Sequence, residues 1–80
     1  MPVEMPIEIL VNAVGTLMAR NKRRAEERRA LQKRLSDFPP ATDSHRAWME
    51  RRIRELGEEE SACDREILAR IAVINERQSR

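Results

Sequence analysis

Apolar residues recur along this chain at alternating spacings of three and four. In the first half the series is Ile7, Leu10, Val14 and Leu17, resuming at Leu31 and Leu35. In the second half it is Met49, Ile53, Leu56, Cys63, Ile67, Ile71 and Ile74. That period marks one apolar stripe along an α-helix. Only two glycines interrupt the chain, and apolar and charged positions interleave, which favours long helices over a sheet.

One segment reads as a turn. Pro39 biases Phe38 away from helical geometry, and Pro40 does the same to Pro39. Thr42, Asp43 and Ser44 follow, all side chains that cap a helix N-terminus. Pro6 suits a first helical turn, where its missing N–H costs nothing. The prediction is helix 1 over about 6–36, a Pro-Pro turn over 37–43, and helix 2 over about 44–78.

Folding the chain at Pro39-Pro40 brings the two stripes face to face. Ile7 then meets Ile74, Leu10 meets Ile71, Val14 meets Ile67, Leu17 meets Cys63 and Leu31 meets Met49. The polar interruptions coincide too, with Asn21 opposite Glu60. The expected fold class is therefore all-α: a single domain over 1–80, built as a long antiparallel helical hairpin. Gly57 leaves one choice open. It can end a helix ahead of the acidic run Glu58-Glu59-Glu60, giving three helices, or it can sit as a small residue opposite Ala25 in one long helix. The stripe keeps its register across Gly57, which favours the single helix. Phe38 and Trp48, flanking the turn, are expected to close that end of the core, with Trp48 in reach of Lys33 or Arg34 for stacking.

Asn21 and Glu60, with Arg24 and Arg28 one and two turns on, form a candidate polar layer. A polar group in a helical seam sets register and partner choice at some cost in stability. Glu60 is expected to accept from Asn21 and Arg24. The competing expectation is a hairpin that opens to water at its waist.

The terminal half carries more apolar surface than one seam uses. Between residues 7 and 19 only Glu8, Asn12 and Thr16 are markedly polar, and between 67 and 74 only Arg70 is. Ile9, Val11, Met18, Leu68, Ala72 and Val73 are left over. A hairpin with one shared face buries little, so a second protein surface is expected. The first expectation is a homodimer forming a four-helix bundle, and a further protein partner is the other. Ile9, Met18, Leu68 and Val73 are the candidate anchors of that partner or dimer interface.

Charge changes this picture only in part. The formal net charge is +2, but residues 20–34 hold eight basic side chains against two acidic ones. Residues 50–66 hold seven acids against four bases and lie alongside in the hairpin. Lys22, Arg29 and Lys33 fall opposite the seam and are the candidate phosphate contacts of a nucleic-acid reading. Against that reading stand the missing interleaved aromatics and the lack of a helix-turn-helix or zinc signature.

Nothing in the sequence assembles an active site, so an enzyme is not expected, nor a cofactor or metal. His45 reads as a surface or capping residue and Cys63 as core. About 18 residues of helix, roughly 27 Å, separate them, too far to share a metal within one chain. Cys63 is the only cysteine, so no intrachain disulfide can form, and a cytosolic setting is the default. The first residues lack the basic and apolar regions of a secretory signal. No apolar run approaches the length of a transmembrane span, and the cations lie beyond the apolar block rather than opposite it, against a membrane-surface helix.

In size and two-helix outline the chain resembles small co-chaperones of type III secretion needle subunits and phage-encoded inhibitors of host machinery. The likeness implies architecture and carries over no residue. The functional expectation is a small non-enzymatic protein–protein interaction module, an adaptor, co-chaperone or inhibitor, docking through a helix face. The alternative is a small dimeric nucleic-acid-associated regulator using the basic face of helix 1.

Overall fold

The computed structural model describes residues 5–79 as two helices, α1 (Ile7–Asp37) and α2 (Asp43–Gln78), packed as an antiparallel hairpin. Among the described residues there is no strand. The hairpin measures 60 × 19 × 16 Å, little wider than two helices laid side by side.

The ends of the helices follow their local chemistry. Pro6 is the residue before the first helical one (φ −56°, ψ 145°), and its carbonyl accepts from Ile9 and Leu10. The Arg34 carbonyl takes the Phe38 N–H at 2.8 Å, after which Phe38 leaves helical geometry at φ −135°, ψ 75°, as the proline behind it requires. Thr42 caps α2, its hydroxyl accepting from the His45 N–H at 3.2 Å.

Every position of the two predicted stripes is buried or half-buried. Val14, Cys63, Ile67 and Ile74 form the main cluster, with Leu10, Leu17 and Ile71 packed against it. Met49 and Leu56 are buried nearer the turn and are the two most enclosed side chains. The register follows pairs whose numbers add to about 80, among them Leu17–Cys63, Asn21–Glu60 and Glu27–Arg52. The Cys63 thiol donates to the Leu17 carbonyl at 3.6 Å across the interface.

Gly57 does not interrupt α2. A Cβ placed there would lie 4.0 Å from Arg28 Cδ, an ordinary contact, so the glycine is not required for close approach of the backbones. The propensity cost of a mid-helix glycine is met by burial on either side, at Leu56 and Cys63.

The turn end differs from the sequence expectation. Phe38 is 77% exposed and Trp48 is also exposed, so neither closes the core. Met49, with Leu31 and Leu35 half-buried on α1, fills that end instead. Phe38 lies beyond the last turn of α1 and is carried off the seam by its non-helical backbone. The Trp48 ring sits 6.1 Å from the ring of His45, the neighbour one turn back on the same helix.

Candidate functional site

The polar waist is a network rather than a single pair. Asn21 donates its amide to the Glu60 carbonyl at 3.3 Å and to Asp64 Oδ1 at 2.7 Å. The Glu60 carboxylate is held instead by Arg28, from Nε at 2.5 Å and from Nη2 at 3.2 Å. Arg24, expected to reach Glu60, pairs with Glu59 at 3.5 Å, and Arg52 reaches Glu27 at 3.4 Å. The amide oxygen of Asn21 is enclosed without a hydrogen-bond partner.

Side-chain direction accounts for this re-pairing. Long helical side chains lean toward the N-terminus of their own helix. In an antiparallel pair the two leanings converge. Arg28 reaches back along α1 while Glu60 reaches back along α2, so residues offset by about two turns meet. The sequence register located the layer at Asn21 and Glu60 but missed Asp64, and it gave Arg24 the place that Arg28 occupies. The direction of lean was the signal that would have found them.

The Arg28 hydrogen bond holds the Glu60 carboxyl below its ordinary value, against a smaller upward push from burial. The charges of Arg28 and Arg29 add to the lowering. The same hydrogen bond raises the Arg28 guanidinium above its already high value. Folding therefore favours the ionised Glu60.

Successive helical residues turn by about 100°, which sorts the exposed side chains into two faces. A shallow groove on one side is lined by Met18, Asn21, Lys22, Glu60, Asp64 and Ile67. A groove on the other side is lined by Leu17, Arg20, Arg24, Glu59, Ala62 and Glu66. Leu68, one turn after Asp64, continues the first face, as does Val11, two turns before Met18. Val73, two turns after Glu66, continues the second, as does Ile9, three turns before Arg20. The four residues read from the sequence as one anchor set thus divide, Met18 and Leu68 on one face, Ile9 and Val73 on the other. All four are about half exposed or more, Leu68 most at 66%.

Lys22, Arg29 and Lys33 are exposed along α1, spanning about 16 Å of helix. Lys22 and Arg29 border the first groove. Arg24 and Arg28, by contrast, are committed to the acids of α2.

His45 is exposed, and Cys63 is buried in the seam with its thiol turned to the Leu17 carbonyl. Among the described residues, no three His, Cys, Asp or Glu side chains converge as a metal ion would need. No described helix is long and apolar enough to cross a membrane. No protein-family model, curated protein or solved structure matches the chain.

Proposed function

We propose that this protein is a small protein–protein interaction module without chemistry of its own, acting as an adaptor, co-chaperone or inhibitor by docking a helix face. The observation that carries this reading is the exposed apolar surface of the terminal half. Ile9, Val11, Met18, Leu68 and Val73 all lie open on a hairpin whose buried core, among the described residues, consists of six side chains. Burial of such surface drives most protein association, and a pair of helices presents anchors at spacings of three and four. The charged waist beside it supplies partner selection more than affinity.

Self-association into a four-helix bundle is the first use of this surface, since two copies joined through one face cover Val11, Met18 and Leu68. A cytosolic setting fits the single, buried cysteine. Light scattering tests the reading. Leu68→Glu should abolish or sharply weaken association with itself or a partner while leaving the helical circular dichroism intact, because Leu68 is not part of the seam. Parallel loss of helix signal and assembly would make Leu68 a core residue and remove the basis of the proposal.

A second reading has its own observation. Lys22, Arg29 and Lys33 stay exposed on one side of α1 while Arg24 and Arg28 are paired with acids of α2, which leaves cations in position for phosphates. A nucleic-acid-associated regulator would lose duplex binding steeply with salt and on changing all three to Gln. A protein module would keep its association under both changes.

A further inference from the structure

Besides the seam that joins the hairpin, α1 carries a second series at spacings of three and four: Glu8, Val11, Gly15, Met18 and Lys22. All five are exposed. Seven residues are nearly two whole turns, so Glu8, Gly15 and Lys22 lie almost in line along the helix. The series is close to symmetric about Gly15. An apolar side chain flanks the glycine on each side, at Val11 and Met18. An acid closes one end and a base the other, each seven residues away.

Gly15 has no role inside the hairpin. It is mid-helix, its φ is not positive, and a Cβ there would meet nothing within 4 Å. A glycine in this place carries a helix-propensity penalty with no return in the folded monomer. Neither the Glu8 nor the Lys22 side chain has a hydrogen bond or ion pair among the described residues, unlike those of Arg24, Arg28 and Arg52 in the waist. By the register Leu68 projects from α2 at about the level of residue 12 of α1, on the same face as Gly15, and its lean toward the N-terminus of α2 carries it toward the level of Gly15.

We propose that this face is a homodimer interface in which α1 of one copy crosses α1 of the other in antiparallel sense at Gly15. This rests on the reading of the protein as a docking module and specifies its first partner as a second copy of the chain. A twofold axis lying in the face and across the helices places Glu8 against Lys22 of the partner copy, and Lys22 against Glu8. Val11 meets Met18 of the other copy, Leu68 meets its own symmetry mate, and Gly15 lets the two backbones approach. An isologous contact of this kind requires a self-complementary patch, and the acid–glycine–base order of the series supplies one.

The geometry also limits the overlap to the apolar terminal half. About sixteen residues of each helix, roughly 24 Å, lie within the shared stretch. With the 19 Å width of the hairpin, the covered face is about 450 Å² per copy in projection, so about 900 Å² in all. That is below the ~1,200 Å² at which stable specific interfaces begin and within the range of weak ones, so the dimer should be of modest affinity and dissociate on dilution. The basic stretches of the two copies project from opposite ends and do not repel one another.

Sedimentation equilibrium of the full chain at low salt tests the arrangement. Glu8→Lys and Lys22→Glu should each weaken dimerisation on the order of tenfold, because each turns two attractions into two repulsions. The double variant Glu8→Lys/Lys22→Glu should return to within about twofold of the wild type. Gly15→Ala should raise the melting temperature of the dilute monomer through helix propensity while weakening the dimer, a separation that a purely structural glycine would not give. Unaltered dimerisation in the single charge variants, or no recovery in the double, overturns the crossing at Gly15. If Leu68→Glu still breaks the dimer in that case, docking through this face survives and only the axis is wrong. A wild-type chain that stays monomeric at millimolar concentration overturns the homodimer, and docking to a different protein is then the reading left to test.

Discussion

Truncating Leu56 to alanine should cost this hairpin much of its stability. Leu56 is 0% exposed and sits within the charged waist, between Arg52 and Glu59 on α2. The register sets it opposite Ala25, in a stretch of α1 whose other seam positions are Asn21, Arg24 and Arg28. The aliphatic stem of Arg28 reaches this stretch, its Cδ lying 4.0 Å from where a Cβ at the neighbouring Gly57 would be, while its head binds Glu60. Leu→Ala in a core costs about 3–5 kcal/mol where the walls hold still, and less where they collapse. Here the walls are two slender helices and a flexible arginine stem, so about 2–3 kcal/mol is the expected loss. An 80-residue chain has a total of about 4–12 kcal/mol to lose, and a hairpin with a single shared face belongs at the low end. Urea unfolding followed at 222 nm, at one fixed protein concentration, reads the effect. With a slope of about 1 kcal/mol per molar, the midpoint should fall by about 2–3 M. Val73→Ala, on the exposed outer face, should shift it by less than about 0.5 M. Equal shifts for the two variants would refute the claim that the interhelical seam holds the fold.

Gly57→Ala should stabilise the protein by about 0.5–1 kcal/mol, since the new methyl meets only Arg28 Cδ at an ordinary 4.0 Å. A loss of stability in thermal melts would show that the backbone at 57 is not regular helix. The Glu60 carboxyl is lowered in the folded state, so its contribution is fully present above the unfolded value near 4.3 and is lost as pH falls through the folded value. Melting temperature should thus drop on acidification below about pH 4.3, and Glu60→Gln should be less stable than wild type at pH 7 with the difference closing toward pH 3. A constant difference across that range would remove the ion pair from the stability of the waist.

The two helices, the turn and the pairing register were legible because they rest on period and on proline, both local properties of the sequence. Asn21 and Glu60 could be set side by side from numbering alone. The partners they take could not, because numbering gives backbone levels while guanidinium and carboxylate groups act several ångströms away along their lean. Arg28 displaced Arg24 for that reason. Phe38 misled in a different way. An aromatic beside a turn reads as a plug, but its backbone, fixed by the proline that follows, carries the ring away from the seam. Ile9, Met18, Leu68 and Val73 were recognisable as surplus apolar residues, and their division between two faces needed the angular position of each around its helix.

The slenderness of the hairpin has a consequence in solution. Its radius of gyration is 18.0 Å, whereas a compact domain of this length would have about 11.6 Å. On the same scaling, 18.0 Å corresponds to a compact chain of about 250 residues. A single copy will therefore diffuse slowly and leave a gel-filtration column well ahead of its true mass, where a globular dimer or trimer would emerge. An early elution volume says nothing about assembly for this molecule. Conversely, a dimer overlapping only at the open ends would be longer still, and small-angle scattering would separate it from one with the two turns side by side.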